Sequence, residues 1–139
     1  MTTISKTDDV IDSRDVIERI EELEGERDAL VEAIADAGAD YLDETQKELS
    51  DWDEENKTEL DALKALAEEA EGYSEDWQYG AALVRDSYFE DYARELLKDI
   101  GDIPRDLPHY IEIDWEATAR NIQVDYTAVD FDGVCYWLR

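Results

Sequence analysis

A single cysteine, Cys135, leaves the chain no intrachain disulfide and no cysteine-rich zinc site. No run of apolar residues approaches the ~18 that a membrane-spanning helix needs. Met1 to Val10 is polar and lacks the apolar core of a secretory leader. The expected location is therefore the cytoplasm. Glycine-rich phosphate loops, Walker motifs and dinucleotide fingerprints are missing, so no cofactor is expected. His109 is the only histidine. A Cys135–His109 nucleophilic pair is formally possible, but Cys135 falls in a strand pattern and reads better as a buried or half-buried strand residue. The chain is not expected to be an enzyme.

Positive charge is also scarce. Thirteen Lys and Arg stand against forty Asp and Glu, for a net charge of −27 and a pI near 4.1. Such a chain repels nucleic acid and anionic membranes at long range and is drawn to basic clefts. Direct nucleic-acid binding and membrane association are disfavoured, and a basic protein surface is the natural partner. With 43% hydrophobic residues, four Trp and eight Tyr, the chain has the means to build a core and is no acidic disordered tail. Its 139 residues suit one domain, or one compact domain with a helical extension.

Residues 1–11 read as a flexible arm. Asp12 or Ser13 then caps a helix to about Ala37, with Val16, Ile20, Leu23, Leu30 and Ile34 at alternating steps of three and four and Arg27 in the missing slot. Gly38 ends it. A second helix is expected from Asp40 to Glu71, its stripe made by Leu42, Leu49, Trp52, Leu60, Leu63, Ala67 and Ala70. The pair suggests an antiparallel hairpin, and pairing between chains is the other way to bury the stripes. Gly25 lies inside the first helix and suggests a bend there.

After Gly72 the pattern changes. Trp77 to Val84 is aromatic and β-prone, and Ser87 and Glu90 have the spacing of a capping box for a helix from Tyr88 to about Ile100. Asp114 caps a short helix from Trp115, and Asp132-Gly133 between alternating apolar residues signals a hairpin. The expected fold is mostly helical α+β. An acidic, coiled-coil-like hairpin (12–72) precedes a module (73–139) with a short antiparallel sheet and two helices.

Residues 1–72 carry 25 acids and 7 bases, and residues 73–139 carry 15 and 6. A 27-residue helix rises ~40 Å, so the first half holds roughly one net charge per 2.2 Å, close to the ~1.7 Å of duplex DNA. The surface therefore reads as DNA-like. Two clusters are the candidate partner-binding residues: Asp51, Asp53, Glu54, Glu55 and Glu59, and Asp86, Glu90, Asp91, Glu95 and Asp99. Asp91, Glu95 and Asp99 repeat every four residues, a spacing at which like charges oppose the helix.

Plainer readings compete. Acidity can serve solubility or adaptation to salt. Close carboxylate pairs are inevitable among forty acids, so they specify neither a metal nor an acid–base pair. Asp130-Phe131-Asp132-Gly133 lacks the spaced ligands of a calcium loop. The aromatic residues Trp77, Tyr79, Tyr88, Tyr92, Trp115, Tyr126, Tyr136 and Trp137 read as core, since base stacking also needs a positive groove. Trp52 is the best exposed-anchor candidate, although core suits it better.

Three stretches carry a resemblance: Leu83 to Ala93, Ile113 to Ala117, and Asp125 to Val134. They resemble small phage-borne antirestriction proteins akin to the ArdA-type DNA mimics, over residues 77–139. The resemblance implies an inhibitor that occupies the DNA-binding site of a host defence complex, a restriction enzyme or a CRISPR effector. It also implies an elongated, commonly dimeric shape, leaving a homodimer open. The acidic helical region is not covered by it. The alternative is an acidic coiled-coil adaptor without DNA mimicry.

Overall fold

The computed structural model describes residues 4–139. Strand β1 (Val10–Asp12) leads directly into helix α1 (Ser13–Asp36), and helix α2 (Leu42–Glu71) returns alongside it. Strand β2 (Ala82–Arg85) follows, then a single 3₁₀ turn (Asp86–Tyr88), helices α3 (Phe89–Asp99) and α4 (Trp115–Gln123), and strands β3 (Thr127–Phe131) and β4 (Val134–Leu138). The four strands form one antiparallel sheet in the order β1-β2-β4-β3.

Successive residues of a strand face opposite sides, and here both sides are covered. Ile11, Leu83, Val129, Phe131, Tyr136 and Leu138 join Val16 and Leu23 of α1 and Leu60, Leu63, Leu66 and Ala70 of α2 in one core. Val84 faces the other way, among Phe89 and Ala93 of α3 and Ala119 of α4, with Trp137 and Tyr126 packed alongside. The sheet is thus the middle of three layers. Leu66, absent from the expected stripe of α2, is fully buried.

Several local signals act as read. The Asp12 side chain accepts from the Arg14 amide at 2.8 Å, starting α1. The Asp114 carboxylate accepts from the Ala117 amide at 3.1 Å, starting α4. Asp132 (φ 50°) and Gly133 (φ 84°) are both left-handed, as a two-residue hairpin turn whose twist matches its strands requires. Beyond α3, Gly101 (φ 80°) lets the Asp102 amide turn back onto the Leu97 carbonyl at 3.0 Å, closing the helix end.

Other expectations are corrected. Residues 1–3 of the expected flexible arm lie outside the described residues, but Val10–Asp12 is a sheet strand, and the buried Tyr136 hydroxyl donates to the Asp8 carbonyl at 2.7 Å. The Ser87–Glu90 capping box does not form. The 3₁₀ turn leads into α3 without a side-chain cap, and the Ser87 hydroxyl accepts instead from Arg85 Nη1 at 3.0 Å. Of the β-prone stretch from Trp77, only Ala82 onward is strand. The Ser13 hydroxyl explains why. It donates to the Trp77 carbonyl at 2.7 Å and accepts from the Ala81 amide at 2.6 Å, drawing these backbone groups to the start of α1. α1 runs through Gly25 as one helix.

Candidate partner-binding surface

The acids of α2 divide by helical position. Asp53 and Glu59 face α1, where each is taken by an arginine. Arg27 donates to Asp53 through Nε (2.9 Å) and Nη2 (3.3 Å). Arg19 donates to Glu59 through Nε (2.9 Å) and Nη2 (3.1 Å), and to Glu22 through Nη1 (3.1 Å). Arg27's hydrogen bonds hold the Asp53 carboxyl below the usual carboxylate range, and Glu59 raises the Arg19 guanidinium. The arginine in the apolar stripe is therefore a cross-helix clamp. Arg19 makes a second clamp that the hydrophobic pattern does not signal.

Asp51, Glu54 and Glu55 remain on the exposed side of α2. Lys47 approaches Asp51 at 4.0 Å, a distance of little energetic weight between exposed groups. In the second cluster, Asp86 lies in the 3₁₀ turn and accepts from the Trp137 indole at 2.8 Å, which ties that carboxylate to the sheet. Glu90, Asp91, Glu95 and Asp99 are exposed along α3. Glu95, then burial, Asp9 and Asp91, keep the Tyr88 phenol protonated beyond its usual range. Seven of the ten sequence candidates thus point into solvent, and Asp53, Glu59 and Asp86 are engaged within the chain.

Dense runs were the signal for those ten, and runs overlook acids spread at helical spacing. On α1, Glu18, Glu21, Asp28 and Glu32 are all exposed. At the end of α2, Glu68, Glu69 and Glu71 are exposed in a last turn that contains no basic residue. Negative charge at a helix C-terminus opposes the macrodipole by ~0.3–1 kcal/mol per group. The periodic positions flanking the apolar stripe would have found both sets.

Aromatic residues divide as their surroundings dictate. Trp77 and Tyr136 are buried, whereas Tyr79 and Tyr110 stand exposed. Trp52 is half-buried on the core, and its indole donates to Glu26 across the hairpin at 3.3 Å. His109 packs edge-on against Tyr110 in the loop before α4. Cys135 stands in β4 opposite Asp130, where burial pushes its thiol up. The Asp130 carboxylate accepts from the Gly133 amide at 3.2 Å, a hairpin contact. Among the described residues, no group of three or more His, Cys, Asp or Glu is placed to hold a metal ion, and no helix is long and apolar enough to cross a membrane.

The chain belongs to the ArdA antirestriction protein family, whose model matches residues 2–135. The match extends beyond residues 77–139 and takes in the acidic hairpin. Membership makes the chain's activity antirestriction, the inhibition of host restriction enzymes. No curated protein and no solved structure matches it.

Proposed function

We propose that this member of the antirestriction family blocks a restriction enzyme by occupying its DNA-binding site, with carboxylates standing where phosphates would bind. One observation carries the reading. Charge that could have been neutralised inside the hairpin is instead displayed along it. Two arginines clamp α1 to α2, while Glu18, Glu21, Asp28, Asp51, Glu54 and Glu55 stay exposed. The 30 residues of α2 span ~45 Å. Residues 13–71 carry 22 acids and 6 bases, so over that length the hairpin's net charge comes to roughly one per 2.8 Å, against ~1.7 Å for duplex DNA. A groove lined by Lys and Arg and shaped for phosphates would feel a comparable field. On this reading the protein works in the host cytoplasm and needs no cofactor.

The test is competition. A restriction endonuclease is mixed with labelled duplex DNA and increasing amounts of the protein, at several salt concentrations. Displacement of DNA, with an affinity that falls steeply as salt rises, supports the reading. Inhibition that leaves DNA bound, or binding indifferent to salt, contradicts it and favours an adaptor using the hairpin's apolar seam.

A further inference from the structure

Near the sheet the seam between α1 and α2 is closed, with Val16, Leu23, Leu60 and Leu63 each at most 5% exposed. Toward the turn it opens. Leu30, Ile34 and Leu49 are only half-buried, and Val31, Tyr41 and Leu42 expose 42%, 63% and 37% of their surface. Two helices alone cannot enclose both of their apolar stripes. The base of the hairpin has the sheet as a third wall, and among the described residues the tip has none. Glu32, Asp36, Asp40, Asp43, Glu44 and Glu48, all exposed, surround this tip in the sequence, with Lys47 the only basic residue between Arg27 and Lys57.

We infer that the hairpin tip docks into a patch of the partner protein that has an apolar centre and a rim of Lys and Arg. The inference rests on the proposed polyanionic competition and adds a contact that duplex DNA does not offer. Charge selects the occupant. A second copy docked tip to tip would set the acidic rim against its like. A basic rim turns the same carboxylates into attraction and steering. Tyr41 supplies an aromatic anchor of the kind that dominates interfaces. Apolar contact is not screened by ions, so the tip carries the salt-resistant part of the affinity.

The test compares the wild type with a V31S/Y41S/L42S variant and with Y41S alone. The readout is binding to a purified restriction endonuclease at low and high salt. These side chains are substantially exposed, and circular dichroism checks that the fold is kept. The triple variant is expected to bind about tenfold more weakly at both salt concentrations with an unchanged salt dependence, and Y41S to show part of that loss. An E32Q/D36N/D43N variant should instead flatten the salt dependence. An apolar variant that binds like the wild type overturns the docking inference alone. So does a wild-type dimer in sedimentation equilibrium that the triple variant dissolves while endonuclease binding is unaffected. A wild-type chain that does not bind the endonuclease removes the parent reading, and this one with it.

Discussion

Arg19 of α1 holds Glu59 of α2 through two parallel N–H···O bonds, and only 6% of Arg19 is exposed. A guanidinium this deeply placed depends on its carboxylate partners more than an exposed one does. Glu59→Gln should therefore cost ~1–3 kcal/mol, the range for leaving a buried charged group poorly satisfied. Asp53→Asn should cost less, because Arg27's side chain is 37% exposed and water can replace the lost partner. Urea unfolding of both variants checks the order. Equal losses would contradict it.

Gly25 sits inside α1 with nothing within 4 Å of the position a Cβ would take. Gly25→Ala therefore adds no clash and removes backbone freedom from the unfolded chain. The expected gain is ~0.5–1 kcal/mol, seen as a thermal midpoint higher by a few degrees. A lower midpoint would mean that the helix needs its glycine.

Two carboxyls contribute to the pH dependence with a definite sign. Arg14's hydrogen bond holds Asp12 below its ordinary value of 3.8, and Arg27's does the same for Asp53. A carboxyl lowered by folding contributes stability above its unfolded value and loses that stability as pH falls through the folded one. Both contributions should be intact at neutral pH and decline only below about 3.8. Asp53→Asn should reduce the decline measured by unfolding between pH 4 and 2. An unchanged acid limb would show that the clamp is not linked to protonation.

Salt should act in opposite directions on folding and on binding. At neutral pH, screening the net charge of −27 relieves repulsion within the hairpin, so the thermal midpoint should rise with ionic strength. The same screening should weaken binding to a basic endonuclease. A midpoint that falls with salt would mean that the surface carboxylates are already balanced.

Neutralising exposed acids one at a time should change little, because a distributed field has no single decisive charge. Single Asp51→Asn, Glu54→Gln or Glu55→Gln variants are each expected to weaken inhibition by no more than about threefold. The three combined with Glu90→Gln, Asp91→Asn and Glu95→Gln should weaken it by more than about tenfold. Inhibition titrations measure both. A single substitution that abolishes activity would point to a discrete contact instead of a surface.

Local chemistry was legible without coordinates. Asp12 and Asp114 announce helix starts because a carboxylate at that position meets free amides, and Asp132-Gly133 announces a hairpin because its backbone tolerates the required turn. Leu60, Leu63 and Ala70 follow from periodicity, and the charge excess from counting. Tertiary structure alone decided the rest, since those features depend on residues far apart in the chain. β1 is a strand because Val10 meets Val84, and Trp77 stays out of the sheet because the hydroxyl of Ser13, a residue of α1, takes its carbonyl. Which carboxylates face outward was settled the same way. Asp53 and Glu59 look like their neighbours in sequence, and only the packing of α1 brings Arg27 and Arg19 to them.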